Sequence, residues 1–134
     1  MLACCAAVFA QSSGGDSESG AALLQNGDFE NGTAGWDNLW VREAGVGSAA
    51  VDATERHGGE KSIRIEHSGE KDWSFARTQK VDVQPGEIFE LSALCRVQGA
   101  GSATLGVVTR DAADQVVDWA FGRKEVHETK GWRF

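Results

Sequence analysis

Phe89-Glu90-Leu91-Ser92-Ala93-Leu94-Cys95-Arg96-Val97-Gln98 sets Phe89, Leu91, Ala93, Cys95 and Val97 against Glu90, Ser92, Leu94, Arg96 and Gln98. A period of two puts the first group on one face of an extended chain, the pattern of a half-buried strand. Ile63 and Ile65 alternate with Arg64 and Glu66 in the same way. Further candidate strands run from Leu39 to Arg42, Ala49 to Asp52, Trp73 to Val83, Ser102 to Arg110 and Val116 to Gly122. Turn chemistry separates them at Gly58-Gly59, Ser68-Gly69, Pro85-Gly86, Gly99 to Gly101 and Asp111 to Asp114. Val107-Val108 and Val116-Val117 flank a polar tip and read as a hairpin, apolar enough on both faces to suit the middle of a covered sheet. No convincing helical period competes, and no repeat of 20 to 50 residues is visible. The expected fold is all-β, an antiparallel sandwich.

Outward from these strands the composition changes. Leu2 to Ala10, LACCAAVFA, is an apolar block ending in Val8-Phe9-Ala10, with small side chains where a signal peptidase pocket inspects them. It has no basic n-region. Residues 1–10 are read as the remnant of a signal peptide, ahead of a disordered tail as the alternative. A lipoprotein anchor at Leu2-Ala3-Cys4 ranks lower, because Met1 stands where a branched aliphatic residue is preferred. Residues 11–22, rich in Ser, Gly and acids, read as a linker. The sandwich then occupies 23–134. Gly131-Trp132-Arg133-Phe134 resembles the start of a strand, so at least one more strand, or a whole second domain, is expected beyond it. Cys4 and Cys5 would leave with a signal peptide, and Cys95 has the parity of a small core residue, so no disulfide framework is expected.

The 134 residues carry 13 Lys+Arg against 20 Asp+Glu, a formal charge of -7, which suits one domain and disfavours a nucleic-acid or anionic-membrane partner. No apolar run approaches the length of a membrane-spanning helix, and a soluble domain is expected.

Catalytic constellations are missing from the pattern. His57, His67 and His127 are dispersed, which leaves a zinc site unsupported. Neither a G-x-S-x-G elbow nor a P-loop occurs, and Gly45-Val46-Gly47 lacks the third glycine of a dinucleotide fingerprint. Among 20 carboxylates no two are singled out as a glycosidase pair. Five Trp with no Tyr is the more informative feature. Indole faces stack on the C–H faces of pyranose rings while neighbouring Arg, Gln, Asn and Asp bind the hydroxyls. Any single Trp is more simply core; among five, a ligand-facing one is expected.

Leu23-Leu24-Gln25-Asn26-Gly27-Asp28-Phe29-Glu30 followed by Gly35-Trp36 resembles the opening of the jelly-roll carbohydrate-binding modules of families four, nine and twenty-two, which bind cellulose, xylan and related β-glucans. His57-Gly58-Gly59-Glu60-Lys61-Ser62-Ile63-Arg64-Ile65 and Val83-Gln84-Pro85-Gly86-Glu87-Ile88-Phe89 match further segments of that family in order, and Gly131 to Phe134 matches a strand after which the family continues. The resemblance implies a jelly roll incomplete at its C-terminus. It also implies a structural calcium at Asp28, Glu30 and Lys61, the last through its turn, completed by an Asp of a later strand. Leu94 stands where an aromatic is common, a departure in a binding strand.

By parity, Trp73, Phe75, Arg77 and Gln79 share one face, Trp119 goes with Val117 and Phe121, and Trp40 with Arg42. Trp40, Trp73 and Trp119 are taken as candidates for the sugar platform, with Arg77 and Gln79 as hydrogen-bond partners. Trp36 and Trp132 are assigned to the core, where the family carries packed aromatics. The expected function is non-catalytic binding of a polysaccharide such as xylan or β-glucan by a secreted, surface or periplasmic protein, with a fused glycoside hydrolase as a possible neighbour. A protein-interaction scaffold is the first alternative and an enzyme the second.

Overall fold

The computed structural model describes residues 2–12, 23–36, 39–75 and 79–134. Eight strands follow one another: β1 Leu2–Ser12, β2 Trp40–Val41, β3 Gly47–Asp52, β4 Ser62–His67, β5 Trp73–Ser74, β6 Phe89–Gln98, β7 Ala103–Arg110 and β8 Val116–Val126. All pairings are antiparallel, and the described residues contain no helix. A four-stranded sheet has the order β3-β4-β1-β6; β2-β5 and β7-β8 form two-stranded ribbons. The expected all-β architecture is observed, and its layers are consistent with a sandwich.

The inner face of the large sheet follows from its alternation. Ile63, Ile65 and His67 are buried while Arg64 and Glu66 are exposed; Ala93, Cys95 and Val97 are buried along β6. Against Ile63 and Ile65 lie Phe29 of the opening segment and, partly buried, Trp36, Leu39, Ala49, Trp73 and Phe75. Leu24, Trp36, Leu91 and Leu105 close over Ala93 and Cys95. The opening segment is held by Asn26, whose Oδ1 accepts from the Asn31 N–H at 3.0 Å and whose Nδ2 donates to the Gly32 and Ala34 carbonyls, each at 3.0 Å. This network lets Phe29 sit at φ 60, a left-handed conformation costly for a bulky residue, with 1% of its surface exposed.

One element differs from the sequence reading, and another runs across two of its segments. Leu2–Ser12, which covers the block read as a signal remnant and the first two residues of the linker, is a strand between β4 and β6. The strand expected from Trp73 to Val83 shrinks to Trp73–Ser74, and residues 79–83 are outside any strand. Val81 and Val83 alternate with polar neighbours yet stay exposed, since no partner edge reaches them.

Candidate functional site

The candidate aromatics fall on different elements. Trp40 pairs with Ser74 across the β2-β5 ribbon and Val41 with Trp73, so the two indoles occupy opposite faces of that ribbon. Trp73 turns inward: it packs with Phe75 on the Phe29–Ile63–Ile65 cluster and lies 5.8 Å from the His67 ring. The parity assigned to Trp73 and Phe75 is therefore correct, and the face they share is the core face. Trp40 turns outward, half exposed, with the Arg42 guanidinium 5.2 Å from its ring centre. Arg42 is held in turn by both carboxylate oxygens of Asp72, through Nε and Nη2. That pair holds the Asp72 carboxyl below its ordinary range and raises Arg42.

Trp119 is the most open indole, 74% exposed in the middle of β8. Val117 and Phe121, two residues to either side, are also exposed, so one strand presents three consecutive apolar side chains of one parity to solvent. Phe121 was not singled out as a ligand contact, although its parity with Trp119 was visible.

Gln79 is engaged elsewhere. Its Nε2 donates to the Leu23 carbonyl at 2.7 Å and its Oε1 accepts from the Gln25 N–H at 3.3 Å, so the amide ties the opening segment down. Arg77 lies outside the described residues. Trp36 stacks on Phe75 at 5.4 Å with 4° between planes, and its indole N–H donates to the Asn26 carbonyl at 3.1 Å. Trp132 is half-buried beside His57, ring centres 6.0 Å apart.

The residues considered for calcium form a compact clamp. Oε1 of Glu30 accepts from the N–H groups of Glu60 and Lys61 at 2.8 and 3.0 Å, which lowers the Glu30 pKa. The Lys61 ammonium donates to the Glu30 carbonyl at 2.6 Å, and Asp28 Oδ1 accepts from the Glu30 N–H at 3.3 Å. Calcium needs six to eight oxygens free to face it. Here one carboxylate oxygen is committed to backbone amides and the Glu30 carbonyl to an ammonium ion. As arranged, these residues do not fit the ion, and no group of three or more His, Cys, Asp or Glu among the described residues is placed to hold a metal. The turn also constrains Gly59: a Cβ there would stand 2.2 Å from Glu30 Oε1, at a φ of +59.

An open cavity of about 570 Å³ lies where β3, β4 and the end of β6 meet, lined among others by Ser48, Arg64, Glu66, Ser68 and Gln98. Arg64 and Glu66 pair across it at 2.7 Å. It offers hydrogen-bonding groups and no indole, and none of the three candidate Trp lines it.

Comparison with known proteins adds one result. No curated protein and no solved structure matches the chain. A family model described as a carbohydrate binding domain, covering types four and nine, matches residues 21–133. That span takes in the Asn26 loop, the Glu30 clamp, the core and both ribbons, and on it the chain belongs to the carbohydrate binding domain family.

Proposed function

We propose that this sugar-binding module holds a polysaccharide of the xylan or β-glucan kind through stacking on Trp119. The observation that carries the reading is the 74% exposure of that indole, flanked by exposed Val117 and Phe121. An indole left in water forfeits a large burial gain unless a ligand covers it. Trp40, with Arg42 and Asp72 as hydrogen-bonding neighbours, is a second contact with the chemistry to grip hydroxyls beside a stacked ring. Trp73 and Gln79 serve this site from behind, by packing and by anchoring the opening segment. The function is binding without catalysis; the polymer is the substrate of an attached glycoside hydrolase or the anchorage of a surface domain. Such a ligand places the protein outside the cytosol, secreted, periplasmic or on the cell surface. A structural calcium would require Lys61 to release the Glu30 carbonyl.

Affinity electrophoresis in gels containing xylan or β-glucan tests the proposal. Retardation of the wild-type chain that is reduced in Trp119→Ala, with thermal stability kept, is the expected result. Unretarded migration in every polymer would instead favour protein contact at the same apolar strand, the reading favoured by exposed Val107 and Val108 on neighbouring β7.

A further inference from the structure

Two Asn-Gly dipeptides, Asn26-Gly27 and Asn31-Gly32, stand close together in the opening segment. In an unfolded chain their chemistry is the same. Glycine has no side chain to shield its backbone nitrogen, so that nitrogen can reach the side-chain carbonyl carbon of the asparagine before it. Folding separates the two.

The Asn26 amide is engaged through both its atoms. Its Oδ1 accepts from the Asn31 N–H, and its Nδ2 donates to the Gly32 and Ala34 carbonyls. Asn26 is half-buried and Gly27 buried, so attack there would break all three bonds and open the loop that holds Phe29. Asn31 lends this network only its backbone N–H. Among the described residues its side-chain amide makes no hydrogen bond, and the residue is exposed. One restraint acts on the neighbouring nitrogen: the Gly32 N–H donates to the Phe29 carbonyl at 2.9 Å, closing a turn. Opening that single bond frees it. Gly32 also holds φ +67, a conformation that a side chain would strain, so the turn itself calls for the residue that leaves the nitrogen bare.

We propose that Asn31 is a site of spontaneous deamidation, while the fold protects Asn26. The Gly32 backbone nitrogen gives its proton to water or hydroxide and attacks Asn31 Cγ. A C–N bond forms, the Cγ–Nδ2 bond breaks, and Nδ2 leaves as ammonia after taking a proton from water. Water then opens the five-membered imide at either carbonyl, leaving aspartate or isoaspartate at position 31. One water is consumed and one ammonia released, with no change of oxidation state. Isoaspartate routes the main chain through the former side chain and adds a methylene to the backbone. That displaces the Asn31 N–H, donor to Asn26 Oδ1, from the Gly32 carbonyl, acceptor from Asn26 Nδ2. The Asn26 amide then no longer bridges the loop, and Phe29 loses the support for its left-handed backbone. The opening loop thus sets a chemical lifetime on the fold.

The test incubates the full chain at mildly alkaline pH, folded and in urea, and then cleaves after glutamate, which puts Asn26 in residues 19–30 and Asn31 in residues 31–43. In the folded chain, residues 31–43 are expected to exchange NH for O in mass, placed at Asn31 by fragmentation. This should run at least about tenfold faster than the same change at Asn26, where a hydrogen-bonded amide must first be released. In urea the two convert at similar rates. Isoaspartyl methyltransferase with S-adenosylmethionine labels the folded, aged wild type and not Asn31→Gln, and the aged wild type melts lower than the fresh protein. The comparison of folded with urea-unfolded chain needs the wild type alone, so it stands even where the variant folds poorly. Conversion of Asn26 as fast as Asn31 in the folded chain, conversion at neither, or an unchanged thermal midpoint despite isoaspartate at position 31 would each overturn the proposal.

Discussion

β4 and β8 both alternate in sequence, yet only one of them buries a face. In β4 the inner positions Ile63, Ile65 and His67 are buried, with Phe29, Trp36 and Trp73 packed over the isoleucines. In β8, Val117, Trp119 and Phe121 share a parity in sequence, but the ladder with β7 shifts register three times, and they remain 69%, 74% and 59% exposed. Period-two alternation encodes extended backbone and one-sidedness; what covers the apolar side is decided by segments far away in the chain. For β4 that cover is the opening segment, whose shape depends on the Asn26 amide. Among the described residues β8 pairs with its hairpin partner β7.

The contrast is most directly broken by trimming one side chain on each strand. Ile63→Ala should cost about 2–5 kcal/mol, because Ile63 is fully buried and its neighbours cannot collapse freely. Val117→Ala should stay within about 0.5 kcal/mol of wild type. Urea titrations of both variants measure the difference; equal losses would mean that the exposed face of β8 is covered in solution.

Acid titration sharpens the same comparison at the end of β3. Asp52, buried beside β4, has its pKa lowered from 3.8 to about 2, first by the Thr54 hydroxyl, then by the Thr54 and Glu55 N–H groups, with Arg64 contributing. A depressed carboxylate stabilises the fold above its unfolded pKa, and that contribution is lost as pH falls through the folded value. About 2 kcal/mol should therefore disappear between roughly pH 4 and pH 2. In Asp52→Asn this part of the pH dependence should vanish, as followed by thermal melts across that range.

On the open strand, Trp119→Ala should leave the melting temperature nearly unchanged while weakening polysaccharide binding by roughly tenfold to a hundredfold. Trp73→Ala should do the reverse, losing stability before binding can be read. Isothermal titration alongside calorimetry separates the two indoles. The smallest effect is expected at the surface pair of Arg42 and Asp72, where Arg42→Ala should leave the melt unchanged and any loss of binding should shrink in high salt.

Much of the strand layout was legible because alternation and turn residues act locally. β3, β4, β6, β7 and β8 lie where the pattern put them, and Phe29 is the core anchor its segment implied. The failures involve information that alternation does not contain. Trp73 and Phe75 were correctly placed on one face, but a period of two is silent on which face meets the core. Gln79 looked available for a sugar hydroxyl, and the backbone of Leu23 and Gln25, more than fifty residues away, takes its amide. In Glu30 the charge was legible, whereas its use by two turn amides depended on the close approach of Gly59.

The central place of β1 also governs the order in which the molecule can be built. Its partners are β4, some sixty residues later, and β6, some ninety later. During synthesis β1 meets the edge of β4 only once His67 has followed it, and that of β6 only after Gln98. About three-quarters of these residues must be made before the sheet can close. Such long-range pairing raises contact order and slows folding, because loop entropy is lost before the contacts that offset it exist. Throughout that interval an apolar strand stays unpaired, the condition in which nascent chains aggregate or engage chaperones and export machinery.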